Sequence, residues 1–186
     1  VLTFEPHPRD WFARQAGGGG LPAPARVATL RDKLRELARC GVDQVVVMRF
    51  DRRVASMSPE AFVDTVLVRG LRARYVLVGD DFRFGARRTG DVELLQRHAA
   101  RGAFALEQMP TVVEGQERIS SSAVRAALSA GDLVRARHLL GRPYAISGRV
   151  LHGRKLGRAI GFPTLNLRIA HRHPAVQGVF AVRVHG

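Results

Sequence analysis

Apolar runs and amphipathic stretches take turns along the first 110 or so residues. VLTF (1–4) opens the chain and reads as the end of a buried strand, stopped by Pro6 and Pro8, which cannot donate to a ladder. Residues 13–26, with four successive glycines and two prolines, predict a flexible loop. A helix is expected at 29–40. Thr29 is its cap, Leu30, Leu34, Leu37 and Ala38 share one face, and Gly41 stops it. QVVVMRF (44–50) is continuously apolar, as in a strand covered on both faces. Ser58-Pro59-Glu60 combines a cap, a first-turn proline and an acid, and opens a helix running to about 69. YVLVG (75–79) is the next buried strand, followed by a helix at 91–101 and a strand at 103–109. Ser120 to Ser122 open a short helix over 122–130, and another spans 132–140. This alternation predicts an α/β fold, a parallel sheet with crossover helices.

The pattern changes after LGRPY (140–144). AISGRVLHG alternates and then turns on glycines, FAVRV alternates again, and no helical period follows residue 141. A boundary is therefore placed near residue 143, ahead of a β-rich second part. The 186 residues suit one domain or two small ones, and an apolar fraction of 46% with 25% charged residues argues against general disorder. No apolar run approaches the ~18 residues of a membrane span. A single cysteine, Cys40, excludes an internal disulfide, and its place closing an amphipathic helix predicts a small core residue. The chain begins at Val1 inside one apolar run and ends at Gly186 after another, so both ends are expected to be cut.

The formal net charge of +14 raises the possibility of a nucleic-acid partner. Lys33 and Lys155 are the only lysines, however, and the arginines are scattered through every segment. That distribution looks compositional, and a basic surface also suits phosphorylated small molecules. A nucleic-acid binder would lose affinity steeply with salt and would interleave aromatics along a basic stripe, which is not seen.

Four segments could carry chemistry. TFEPHP (3–8) follows the first strand, where an open parallel sheet places its ligands, and two prolines make it a rigid extended loop presenting Phe4, Glu5 and His7. The same residues would equally form a proline-stiffened loop with a solvated histidine. VGDDFRFG (78–85) follows the strand YVLV. Gly79 and Gly85 allow close backbone approach, Asp80 and Asp81 can accept from an amine or ribose, and Phe82 and Phe84 offer stacking faces. Its plain alternative is a turn with two core phenylalanines. RISSSAVR (118–125) sets three serines before a helix between Arg118 and Arg125, a combination suited to phosphate, whereas an ordinary cap needs one serine. HGRKLGRAIGFPTLNL (152–167) spaces Gly153, Gly157 and Gly161 by four, with Arg154, Lys155 and Arg158 around the turn. Thr164 and Asn166 then supply two hard oxygens on one face of an extended segment, as Mg²⁺ requires beside phosphates. A basic glycine-rich hairpin is the alternative. His171 and His173 read as a solvated loop and Met48 as packing; no zinc cluster and no Ser-His-Asp arrangement can be argued.

In this order the segments TFEPHP, VGDDFRFG, ISSSAVR, LGRPY and GRAIGFPTLN resemble the bacterial bifunctional riboflavin kinase/FAD synthetase family, over essentially the whole chain. The resemblance implies a Rossmann-like nucleotidyltransferase domain with a parallel sheet over 1–142, lacking its N-terminal segment. It also implies the first part of a small β-barrel riboflavin kinase domain over 143–186. It implies transfer of phosphate from ATP to riboflavin, giving FMN, and adenylylation of FMN to FAD with release of pyrophosphate, both with Mg²⁺. ATP, riboflavin and FMN are then the partners, with no specific nucleic acid and no membrane, in the cytoplasm. By position, Phe4, Pro6, His7 and Pro8 would line the flavin side. Gly79, Asp80, Asp81, Phe82, Phe84 and Gly85 would hold the nucleotide. Ser120, Ser121, Ser122 and Arg125 would contact the ATP phosphates. Gly153, Arg154, Lys155, Gly157, Arg158, Gly161, Phe162 and Pro163 would cradle ATP in the kinase part, with Thr164 and Asn166 on the metal.

The chain also departs from the family pattern. The family's G-x-F-D-G-x-H-x-G-H segment does not occur in it, Ser122 replaces the usual Thr, and Leu165 replaces the usual Ala. The kinase's catalytic Glu is expected beyond residue 186. The 186 residues alone are therefore expected to be inactive in both steps, and a parent with only one of the two activities stays open.

Overall fold

In the computed structural model, which describes residues 1–17, 23–151, 161–162, 164–169 and 173–185, four helix-linked strands form two parallel pairs. Strand β1 (Leu2–Glu5) is followed by α1 (Pro8–Gln15) and α2 (Leu30–Arg39), and then by β2 (Val46–Arg49). Next come α3 (Arg52–Ala55) and α4 (Pro59–Phe62), which continues as a π-helical stretch over Val63–Gly70. Strand β3 (Tyr75–Gly79) leads through a short 3₁₀ turn (Ala86–Arg88) to α5 (Val92–Ala100) and β4 (Ala105–Met109). A small hairpin, β5 (Val113–Glu114) and β6 (Glu117–Arg118), precedes α6 (Ser121–Ser129) and α7 (Leu133–Leu140). Strands β7 (Arg149–Leu151) and β8 (Asn166–Arg168) close the order. The fold is thus mixed α/β. β1 pairs β2 in parallel from Leu2↔Val46 to Glu5↔Arg49, and β3 pairs β4 from Tyr75↔Ala105 to Gly79↔Met109.

The contacts divide the chain into two units. The first holds residues 2–22 and 46–118. Its core is Phe62, Val63, Val66, Phe84, Leu94, Leu95 and Phe104, and Leu2, Phe4, Met48, Val76, Val78 and Leu106 from all four strands pack against it. Leu95 and Val63 are fully buried, each worth roughly 1.5–3 kcal/mol relative to exposure. The second unit holds residue 1 and residues 23–45 and 119–186. Val124, Ala127, Leu128, Ala136, Leu139 and Ala175 form its core, where α6 and α7 bring their small faces together.

Capping follows the sequence closely. Oxygens of Thr29, Asp51, Ser58, Asp91, Ser120 and Asp132 each accept a first-turn N–H of the helix that follows, each worth about 1 kcal/mol.

Five expectations need correction. The loop expected from residue 13 is preceded by a helix, α1, because Pro8 sits at its first position with His7 as cap and Asp10 in the first turn. Residues 18–22 of that loop lie outside the described residues. Strand β2 is not covered on both faces, since Val46 and Val47 are 41% and 39% exposed. β3 is covered on one face, with Tyr75 and Leu77 outward. Cys40 is exposed at the end of α2 rather than in the core. FAVRV (180–184) forms no strand, and Val182 and Val184 are 74% and 68% exposed. Alternation makes a strand only where a neighbour completes the ladder.

Candidate active site

The carboxyl ends of the parallel pairs carry the richest chemistry in the first unit. At β1 and β2, Phe4 meets Phe50 edge-on with ring centroids 5.6 Å apart. Trp11 and Phe12 of α1 stand 5.7 and 5.8 Å from the same Phe50 ring. These edge-to-face pairs each add about 0.5–1.5 kcal/mol beyond burial, and Phe12 still leaves half its surface to solvent. An aromatic shelf thus borders TFEPHP. Phe4 was expected there; Trp11, Phe12 and Phe50 were not. Only the parallel register, which places Glu5 beside Arg49, brings Phe50 to Phe4.

His7 does more than decorate a loop. It is half-buried, and its Nδ1 accepts the Arg9 N–H at 3.2 Å. In the neutral ring that acceptor role places the proton on Nε2, which makes Nε2 the donor. The Glu5–Pro6 peptide is cis, Glu5 itself belongs to β1, and Pro8 begins α1. The segment is therefore a strand end, a tight bend and a helix start rather than an extended loop.

The loop after β3 is held from two sides. Thr111 Oγ1 donates to Asp80 Oδ2 at 2.8 Å, and Arg118 Nη2 pairs with Asp81 Oδ2 at 2.9 Å. The Thr111 hydrogen bond, aided by Arg118, holds the Asp80 carboxyl below the ordinary carboxylate range. Phe82 and Phe84 stack with centroids 5.4 Å apart and planes 21° from parallel. Phe84 is buried against Phe62, so its ring is committed to the core and serves to back Phe82, which is half-buried. A cavity of about 170 Å³ lies beside them, lined by Asp80, Phe82, Arg83, Asp91, Val92 and Glu93. Arg83 Nη1 reaches Asp91 Oδ2 at 3.2 Å. With three acids around one aromatic, the cavity suits a flat group bearing N–H or O–H donors, though it is smaller than the ~300 Å³ that encloses a whole ligand. Thr111 was not anticipated, since nothing local ties it to Asp80.

In the second unit Ser120 alone caps α6, its Oγ accepting the Ala123 N–H at 3.1 Å. Ser121 and Ser122 are exposed in the first turn. Arg125 Nε donates to the Ala25 carbonyl at 2.9 Å, which fixes the plane of its guanidinium. Arg118 belongs to the first unit and is committed to Asp81.

Of the glycine-rich segment, Gly153, Arg154, Lys155, Gly157, Arg158 and Pro163 lie outside the described residues. Gly161 has a φ of +80°, and Phe162 is 76% exposed. Thr164 and Asn166 are exposed, and Asn166 pairs with Leu151 at one end of the antiparallel β7–β8 ladder. Among the described residues no three His, Cys, Asp or Glu gather as a metal site.

Together these features define a class: a mixed α/β protein whose loops at the carboxyl ends of parallel strands gather polar and aromatic groups, where such sheets place their ligands. The chain belongs to the FAD synthetase family, whose sequence model matches residues 1–123. The riboflavin kinase family model matches residues 140–186. The chain is 50% identical over all 186 residues to the bifunctional riboflavin kinase/FMN adenylyltransferase of Escherichia coli strain K12, and 44% identical over 184 residues to that of Haemophilus influenzae. In both cases it spans 58% of the relative's length. A solved structure described as a macrolide-efflux protein from Streptococcus pneumoniae superposes with a TM-score of 0.74 at 27% identity, over 96% of this chain and 56% of that one. Among the described residues no helix is long and apolar enough to cross a membrane.

Proposed function

We propose that the chain carries parts of two consecutive flavin-cofactor reactions. The kinase step moves the terminal phosphate of ATP to the ribityl hydroxyl of riboflavin, giving FMN and ADP. In the adenylyl step the FMN phosphate attacks the α-phosphorus of ATP, giving FAD and releasing pyrophosphate. Residues 1–142 are assigned to a Rossmann-like adenylyltransferase domain and 143–186 to the opening part of a β-barrel kinase domain. Supporting this division are the two family matches, in that order, and the change from helices to the β7–β8 hairpin. A cytoplasmic setting, where ATP is available, belongs to the same proposal.

The observation that carries the adenylyl assignment is the aromatic shelf and acid-lined cavity at the carboxyl ends of β1–β2 and β3. Phe4, Pro6, His7 and Pro8 take the flavin side, with Trp11, Phe12 and Phe50 extending the stacking surface. Gly79, Asp80, Asp81, Phe82 and Gly85 take the adenine nucleotide, with Phe84 behind Phe82. Thr111 and Arg118 are positioning residues, because their bonds to Asp80 and Asp81 hold both carboxylates in place. Ser121, Ser122 and Arg125 take the ATP phosphates, and Ser120 holds their helix. Such a transfer needs alignment and charge neutralisation more than a covalent nucleophile.

In the kinase part, Gly153, Arg154, Lys155, Gly157, Arg158, Gly161, Phe162 and Pro163 are assigned to the ATP turn. Thr164 and Asn166 fit Mg²⁺ by donor chemistry: both are hard, neutral oxygens two residues apart on an exposed extended segment, leaving the charge to phosphate. Bound there, the ion would draw charge from the transferring phosphate.

Binding tests the adenylyl assignment directly. Trp11 is the only tryptophan, so FMN settling on the shelf quenches its emission saturably. Emission indifferent to FMN up to millimolar concentration removes the assignment.

A further inference from the structure

We infer that the second unit holds a separate site for a phosphate-class oxyanion, in a cavity of about 240 Å³ lined by Thr29, Arg31, Ser147, Gly148, Arg149 and Arg168. The site lies at the end of the β7–β8 pairing opposite Asn166. Arg149 faces Arg168 at one end of the ladder, and Leu151 faces Asn166 at the other.

Three observations on different elements converge there. Arg149 and Arg168 are direct cross-strand partners, and like charges so placed repel unless something negative lies between them. Arg31, in the first turn of α2, brings a third guanidinium to the same cavity. Among the described residues none of the three has an ion-pair partner. The Ser147 hydroxyl is buried beside the Asp32 carboxyl with no partner within hydrogen-bond distance, a condition that costs free energy unless a ligand or water meets it.

The walls are rigid. A Cβ on Gly148 would stand 2.7 Å from the Arg168 carbonyl oxygen, so backbone meets backbone at this point. Asp32, the nearby acid, does not line the cavity. Its Oδ2 accepts the Thr29 hydroxyl at 2.7 Å and the Ser147 N–H at 3.4 Å, tying the start of β7 to α2. Its charge is thereby turned inward, and Ser147 is held in place. The cavity corresponds to about eight water volumes at ~30 Å³ each, enough for a phosphate with water or for a diphosphate. Guanidinium forks are the donor set that such oxyanions take.

Isothermal titration of the 186-residue chain tests this, using inorganic phosphate, diphosphate and ADP at constant ionic strength, with chloride as control. Saturable binding is expected, weakened at least tenfold in R149Q/R168Q and in R31Q, and unchanged in R101Q, which alters an exposed arginine outside every assigned site. R31Q alters an exposed helical side chain and keeps the test open should the double variant fail to fold. Equal affinity for diphosphate and ADP assigns the site to free phosphates, whereas tighter ADP assigns it to the tail of a nucleotide; either outcome supports the site. Absence of saturable binding overturns it. So does binding lost in S121A/S122A and retained in R149Q/R168Q, which would place the anion at α6.

Discussion

Replacing Gly85 by alanine tests how the loop after β3 is built. Gly85 has φ +72° and ψ −179°, a conformation open essentially to glycine alone, and holding another residue there costs about 1–3 kcal/mol. Its absent Cβ would also lie 2.7 Å from Pro59 Cγ, 2.8 Å from Pro59 N and 2.9 Å from Pro59 Cα. Pro59 begins α4 and is itself buried, so the backbone cannot yield as a flexible side chain could, and this overlap adds about 1–3 kcal/mol. The expected loss is about 2–6 kcal/mol, or roughly 4–24 °C in Tm for a chain of this size. Gly102 is the control: its φ is +78°, but nothing lies within 4 Å of its missing Cβ. Gly102→Ala therefore loses only the conformational part, about 1–2 kcal/mol. Urea unfolding of both variants beside the parent measures the difference. Equal losses, or a loss below about 1 kcal/mol for Gly85→Ala, would refute the claim that the loop is clamped against Pro59.

Other expectations follow from the same contacts. Ser120→Ala should cost about 1 kcal/mol of stability as a lost cap. Ser121→Ala and Ser122→Ala should leave urea midpoints unchanged and, placed in the full reading frame, lower adenylylation about 10–100-fold, the worth of one charged hydrogen bond; a stability loss in these two would assign them to the helix instead. Phe50→Ala should cost about 3 kcal/mol and weaken FMN binding as read from Trp11 emission; undiminished FMN affinity in a folded variant would dissolve the shelf. Burial pushes the Asp32 carboxyl up, but the dipole of the adjacent Ser147 hydroxyl and the hydrogen bonds from the Thr29 hydroxyl and the Ser147 N–H outweigh it and hold it below its ordinary 3.8. With the folded value depressed, the unfolded chain binds the extra proton. The stabilisation is therefore complete above 3.8 and disappears as pH falls through the lower, folded value. Acid unfolding of Asp32→Asn should show a flatter limb in that window, and an unaltered limb would count against the network.

The helix frame was legible because its signals are local. Thr29, Ser58, Asp91, Ser120 and Asp132 each precede an apolar period and each caps a helix. Helix α1 was missed although Pro8 and Asp10 form a helix start, because paired prolines also read as a stiff loop. The exposure of Val46 and Val47 could not be read from an apolar run, whose coverage depends on neighbours distant in sequence. The same holds for Phe50 and Thr111. Each enters the candidate site only through a pairing of distant segments, Glu5 beside Arg49 and Gly79 beside Met109. Phe84 shows the converse, since a ring flagged for stacking is spent on the core by Phe62.

The full reading frame containing this chain, expressed, purified and supplied with riboflavin and MgATP, gives the most direct test when its flavin products are separated by chromatography. The account predicts both FMN and FAD, with pyrophosphate released in step with FAD. Neither flavin appearing would contradict it.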